Sequence, residues 1–178
     1  MARNDPLADP APLIRRVYAY VAYRIGDGPD AEDLTSEVFE RALKYRSSYD
    51  PARGGPLAWL IGIARRSVDG RRYVPAQADS SDFEQPAAHD LEASALERLT
   101  LARAVSVLDD RSRELLALRY GADLSARQIG AVLGLKTNAV EVSLHRALAR
   151  VRAELEEQER SDADADVRLR DPVTRTSP

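Results

Sequence analysis

The chain has 178 residues, of which 31% are charged and 44% hydrophobic, with no cysteine, two histidines and a formal net charge of −3. That length accommodates one domain or two small ones, while the missing thiols exclude disulfides and thiolate metal sites, and two histidines leave no basis for a histidine-rich centre, so neither metal nor cofactor is expected. The longest apolar run, Ala58 to Ala64, is far too short to cross a bilayer, and the opening MARNDPLADPAP lacks the apolar core of a secretory signal, so a cytoplasmic protein is expected.

Residues 1–11 read as a polar, proline-bearing, disordered tail. A first helix is predicted from Pro12 to Ile25, with Ile14, Val17, Val21 and Ile25 on one side. Gly26-Asp27-Gly28 breaks it, and Pro29 opens a second helix to about Tyr45, at a position where its missing N–H costs nothing. Asp30, Glu32 and Asp33 in the first turn suit the helix dipole. Leu34, Val38, Phe39, Ala42, Leu43 and Tyr45 make an apolar side, and Asp33, Glu37 and Glu40 form an acidic row on another. A solvated face is the default reading of such a row. Ser47 to Pro56 is an irregular loop by its Pro and Gly content. A third helix follows from Leu57 to about Tyr73, with Leu57, Leu60, Ile61, Ala64 and Val68 inward and Arg65, Arg66, Arg71 and Arg72 gathered in its C-terminal half. Those arginines suit the helix dipole, and they also make a phosphate-binding surface.

The net charge hides a division along the chain. Residues 1–75 carry 12 bases and 10 acids, 76–95 none and 5, 96–153 carry 10 and 6, and 154–178 carry 4 and 8. Two mildly basic segments are thus separated and followed by acidic ones. Residues 75–94 read as a flexible acidic linker. Leu96, Leu99, Val105 and Leu108 mark a fourth helix, and Asp109 or Asp110 caps a fifth that contains Leu115, Leu116 and Leu118 and closes at Tyr120-Gly121. Ser125 and Gln128 have the spacing of a capping box, with Ile129, Val132 and Leu133 as the apolar face and Gly134 as the terminator. A last helix repeats Val140, Leu144, Leu148, Val151 and Leu155 at helical period. Lys136, Asn138, Glu141, Val142, His145 and Arg146 are left on its outer side. This is the layout of a helix-turn-helix, although periodicity alone also fits an ordinary helical hairpin. Residues 159–178 are too polar to pack and read as a disordered acidic tail.

Two stretches carry a resemblance. DAEDLTSEVFERAL, followed by a Gly/Pro loop and AWLIGIARRSVDGRRY, resembles region 2 of a bacterial RNA polymerase sigma factor, and LDDRSRELLALRYGADLSARQIGAVLGLKTNAVEVSLHRALARVR resembles region 4. With these two regions alone, in this order and with a short linker, the chain is similar to the extracytoplasmic-function group of the sigma-70 family. The resemblance implies an all-α protein of two small helical domains, region 2 over residues 12–74 and region 4 over 95–158, joined by the linker 75–94. It implies a non-enzymatic subunit whose partners are core RNA polymerase, promoter DNA and, as a further candidate, an anti-sigma protein.

The resemblance also distributes roles. Asp30, Asp33, Glu37 and Glu40 would meet the arginine-rich clamp helices of the polymerase largest subunit, and region 4 would meet the flap. Tyr49, Asp50, Arg53 and Trp59 would read the −10 element, with Arg65, Arg66, Arg71 and Arg72 on phosphates. Trp59 is a tempting wedge between bases, yet indole in a small helical domain is more often packed in the core. Arg127, Lys136, Thr137, Asn138, Glu141, Val142, His145, Arg146 and Arg150 would form the −35 surface. Here the chain departs from the T-V-K-S-R run usual in the family it resembles: it has Ala139-Val140-Glu141-Val142-Ser143, so the family's base preference does not carry over. A stand-alone helix-turn-helix regulator is the alternative, but it leaves residues 12–74 without a use. An enzyme is disfavoured by the lack of a P-loop, of G-x-S-x-G and of paired histidines.

Overall fold

A computed structural model describes residues 5–69, 71 and 100–170, with side chains to 163. Every regular element among them is helical. Three helices fill the first half: α1 (Pro10–Ile25), α2 (Pro29–Lys44) and α3 (Pro56–Val68), each opening on a proline in its first turn. Gly26 (φ 101°) and Gly28 (φ 125°) provide the left-handed backbone that turns α1 into α2. Two single turns, Arg46–Ser48 and Pro51–Arg53, connect α2 to α3. In the second half, α4 is described over 100–106, and α5 (Asp110–Leu116) winds into a π-turn at Ala117–Gly121. The last two helices are α6 (Ala126–Leu133) and α7 (Thr137–Arg170).

The core follows from the apolar rows. Leu57, Leu60, Ile61, Ala64 and Val68 of α3 are all buried, as are Leu34, Val38 and Ala42 of α2 and Val17, Val21 and Ile25 of α1. Leu115, Leu116, Leu118, Ile129, Val140, Leu144 and Val151 are buried in the second half. Both sets belong to one continuous cluster, because α1 packs on α5 and on the π-turn that follows it. The sequence left the relative placement of the two halves open; here they are packed together.

Several expectations are corrected. Ile14 is 43% exposed, and Tyr20, fully buried, takes its place on the inner side of α1. Leu43 and Tyr45 are more than half exposed, in the last turn of α2 and just beyond it. The expected disordered start is ordered from Asp5: Pro6 is buried, Leu7 packs on the core, and Asp5 accepts from the Leu7 N–H at 3.1 Å while facing Arg46 at 3.4 Å. α3 ends at Val68, five residues earlier than expected. α7 runs to Arg170 through the expected disordered tail. No glycine or proline interrupts residues 137–170, and Arg160 ties the helix together by reaching Glu157 at 3.2 Å and the Glu156 carbonyl at 3.1 Å. The expected linker at 75–94 lies outside the described residues, as do residues 1–4 and 171–178.

Candidate nucleic-acid interface

The second half presents its outward surface through local chemistry. Ser125 accepts from the Gln128 N–H at 3.3 Å, and the Gln128 side chain accepts from the Ser125 N–H at 2.9 Å, so the capping box of α6 is complete. Gly134 ends α6 at φ 68°. Gly130 went unremarked in the sequence: a Cβ there would lie 2.6 Å from the Leu135 carbonyl oxygen, so the tight turn into α7 demands it. Across the turn, α7 buries Val140, Leu144, Ala147 and Val151 and exposes Lys136, Thr137, Asn138, Glu141, Val142, His145 and Arg146 as one patch. Its free N-terminal N–H groups and positive dipole end face the same way, which favours a phosphate. Arg127 is exposed on neighbouring α6.

Arg150 is placed differently. It donates to Asp109 at 2.7 Å, about one turn beyond the patch. Asp109 is also the N-cap of α5, accepting from the Ser112 N–H at 2.8 Å. That backbone N–H is the main reason its carboxyl stays below the usual carboxylate range; desolvation opposes it, and the Ser112 hydroxyl and Arg150 add to the lowering.

In the first half, the loop is pinned by its own polar groups. Asp50 caps the turn Pro51–Arg53 by accepting from the Ala52 N–H at 2.9 Å, and Tyr49 donates its hydroxyl to the Gly54 carbonyl at 3.2 Å. Tyr49 and Trp59 meet at 5.5 Å between ring centroids, tilted by 57°. Trp59 is half-buried against the core yet still lines a cleft of about 520 Å³ together with Arg53, Arg66 and Gln128, so both readings of it hold in part. Arg53 and Arg66 are exposed, with no ion-pair partner among the described residues. Arg65 is engaged elsewhere: it donates to Glu114 at 2.6 Å and to the Val132 carbonyl at 3.3 Å, both in the second half. Arg71 reaches Glu37 at 3.4 Å. Arg72 lies outside the described residues.

The acidic row on α2 is divided in the same way. Glu37 is held by Arg41 at 2.5 Å as well as by Arg71. Asp30, Asp33 and Glu40 are exposed without an ion-pair partner among the described residues. No group of described side chains has the make-up of a metal site, and no described helix is long and apolar enough to cross a membrane.

Known proteins share this arrangement. Residues 12–73 match the family described as Sigma-70 region 2, and residues 104–153 match Sigma-70, region 4. The chain is similar to the ECF RNA polymerase sigma factor SigL of Mycobacterium tuberculosis, at 30% identity over 172 residues covering 88% of this chain and 97% of the relative. It is 31% identical over 140 residues to the ECF RNA polymerase sigma factor BldN of Streptomyces coelicolor, covering 74% of this chain but only 53%, about half, of that longer relative. Among solved structures, CnrH in complex with the cytosolic domain of CnrY matches with a TM-score of 0.59 at 25% identity, covering 85% of each chain. The sigma factor RpoE bound to the anti-sigma factor NepR from Bartonella quintana has a TM-score of 0.61 at 17% identity over 82% of this chain and 93% of its own, a likeness of fold.

Proposed function

This chain belongs to the extracytoplasmic-function group of the sigma-70 family of RNA polymerase sigma factors, and on that premise we propose how its residues divide the work of starting transcription at chosen promoters. It binds core RNA polymerase in the cytoplasm, directs it to promoters through −10 and −35 elements and assists melting. It makes no covalent bond itself.

Region 4, over residues 95–158, reads the −35 element. The observation that carries this reading is the outward patch at the start of α7, where Lys136, Asn138, Glu141, Val142, His145 and Arg146 lie opposite the buried Val140, Leu144, Ala147 and Val151. A helix in the major groove discriminates bases by such a mixture of donors, acceptors and apolar groups. Thr137 and Arg127 stand where they meet the backbone, and Arg150 steadies α7 on α5 through Asp109.

Region 2, over residues 12–74, serves the polymerase and the −10 element. Asp30, Asp33 and Glu40 are the exposed acids that would face the clamp helices, with Glu37 already shared between Arg41 and Arg71. Tyr49, Asp50, Arg53 and Trp59 supply stacking and polar contacts to unpaired bases, with Arg65, Arg66, Arg71 and Arg72 along the backbone. Residues 75–94 connect the two regions. One structural neighbour, RpoE, is bound to the anti-sigma factor NepR, and an anti-sigma protein is a candidate partner here too.

The test is transcription from a genomic fragment library by purified core polymerase with and without the chain. Promoter-specific products that require the chain are expected. Their absence, with the chain bound to core or not, would remove this assignment.

A further inference from the structure

The loop between α2 and α3 is a partition with a chamber on each side. Ser48, Asp50 and Arg53 line the Trp59 cleft, whereas Ser47, Tyr49 and Pro51 line a second, open pocket of about 810 Å³. The alternation is a property of the backbone: Tyr49 (φ −67°, ψ 126°) and Asp50 (φ −121°, ψ 108°) are extended, so neighbouring side chains leave on opposite sides. The rest of the second pocket is made by Leu43, Lys44 and Arg46 at the end of α2 and by Asp5 and Pro6. Asp5 and Pro6 lie ahead of residues 12–73, the stretch matched to Sigma-70 region 2, so this wall is added from outside the matched region.

The pocket repeats the chemistry of the cleft. The cleft offers Trp59 with the cations Arg53 and Arg66, and the pocket offers Tyr49 with the cations Lys44 and Arg46. Leu43 is 59% exposed and gives the pocket an apolar surface that the core does not claim. Arg46 is held from one side: its guanidinium donates to Asp5 at 3.4 Å, and its side chain stays 55% exposed. The other oxygen of Asp5 accepts the Leu7 N–H at 3.1 Å, and Leu7 packs on the core, so the carboxylate is a fixed anchor for Arg46. A single nucleic-acid strand presents a base face and a phosphate at every step, and aromatic rings beside cations are what hold it. A space of this volume suits one nucleotide. We propose that the pocket takes one unpaired nucleotide of the opened strand, next in line to the one held in the Trp59 cleft. Lys44 and Arg46 meet its phosphate, Leu43 and Tyr49 meet its base, and Asp5 is the positioning residue for Arg46. The opened strand is supplied by the sigma-factor reading, on which this assignment rests.

The test is binding of core polymerase carrying the full chain to a promoter fragment already unpaired across the selected −10 element, with single bases deleted in turn from each strand. Two neighbouring deletions on one strand are each expected to weaken binding by about ten-fold, the worth of one stacked base. Leu43→Trp fills the pocket from an exposed position and should erase one of those penalties while leaving the other. Arg46→Ala should reduce the same penalty. Asp5→Asn keeps an oxygen for the Leu7 N–H but loses the charge facing Arg46, so it should reduce that penalty too and add nothing in the Arg46→Ala background. A single penalised base in the native chain, or two penalties that Leu43→Trp leaves in place, would overturn the pocket. Additive effects of Asp5→Asn and Arg46→Ala would overturn the role of Asp5. Weaker association with core polymerase while both penalties persist would make the pocket a protein-docking surface instead and overturn the proposal. If no promoter fragment binds in a chain-dependent way, the sigma-factor reading falls and the pocket assignment falls with it.

Discussion

Glu141 follows the buried Val140 on α7 and points outward with Val142, which is 41% exposed. A carboxylate in the major groove can only accept, so it favours the cytosine N4 amine and repels the guanine O6. Glu141→Lys is therefore expected to move the selected −35 base from cytosine toward guanine by about ten-fold or more, the worth of one good base contact. Binding-site selection with both proteins measures this, and an unchanged −35 sequence would place Glu141 against protein or solvent. Tyr20 raises a question of stability instead. It is fully buried, its hydroxyl has no hydrogen-bond partner among the described residues, and burial pushes its phenol well above the usual tyrosine value despite the nearby Arg24. An unpartnered buried hydroxyl is costly, so Tyr20→Phe is expected to stabilise the chain by about 1 kcal/mol in urea unfolding. Because the folded pKa is raised, the stability of the chain does not depend on the ionisation of Tyr20 below about pH 10, and it falls as the unfolded tyrosine ionises above that value. The variant should accordingly show a shallower loss of stability on the alkaline side than the native chain. A destabilised Tyr20→Phe would show that the hydroxyl is satisfied.

At the scale of elements, the helix-turn-helix depends on a glycine within α6 as much as on the one that ends it. Alanine replacing glycine at an exposed helix site usually stabilises by up to about 1 kcal/mol. At Gly130 the sign should reverse, with a loss of about 1–3 kcal/mol, because the Leu135 carbonyl lies 2.6 Å from where the Cβ would be. Thermal unfolding of Gly130→Ala measures it, and a gain in stability would mean the turn can relax. The cap of α5 gives a second case. Asp109→Ala should cost about 1 kcal/mol near neutral pH. Because the folded pKa of Asp109 is lowered, its contribution is present above the ordinary carboxylate value and disappears as pH falls through the folded one, so native and variant stabilities should converge in acid. A difference that persists in acid would assign the loss to packing.

What the sequence makes legible at this scale is what neighbouring residues settle among themselves. The capping box at Ser125, the left-handed Gly134 and the buried row of α3 all follow from spacings of a few residues. Gly130 stayed hidden because a glycine inside a helix carries no mark of the carbonyl that approaches it. Arg65–Glu114 and Arg16–Ala122 stayed hidden because they join positions 49 and 106 residues apart. Such pairs depend on how helices pack, and no local pattern encodes them. The reach of α7 differs from the expectation for a related reason: polar composition alone suggests disorder, whereas a stretch without glycine or proline lets a helix already nucleated on the core propagate.

For the whole molecule, partner binding should follow charges that the chain has not already neutralised. Asp33 and Glu40 meet that condition on α2, while Glu37 is occupied by Arg41 and Arg71. Reversing both, as Asp33→Lys with Glu40→Lys, is expected to weaken binding to core polymerase by well over the ~1 kcal/mol of an exposed pair, since like charges would then be pressed together at an interface. Competition against a labelled sigma factor for core polymerase gives the number. Unchanged affinity in a folded double variant would move the docking surface off this row.

α7 also acts as an electrical object. Its 34 residues extend for about 50 Å. The bases Lys136, Arg146, Arg150 and Arg152 lie just before it or in its first half, beside one acid, Glu141, whereas residues 154–170 carry seven acids against three bases. The backbone dipole points the same way, positive at the N-terminus. The helix is therefore a charged needle with one attractive and one repulsive pole. Near the polyanionic surface of a duplex such a needle experiences a torque as well as a force, so it is turned with its reading end toward the groove before any base is touched.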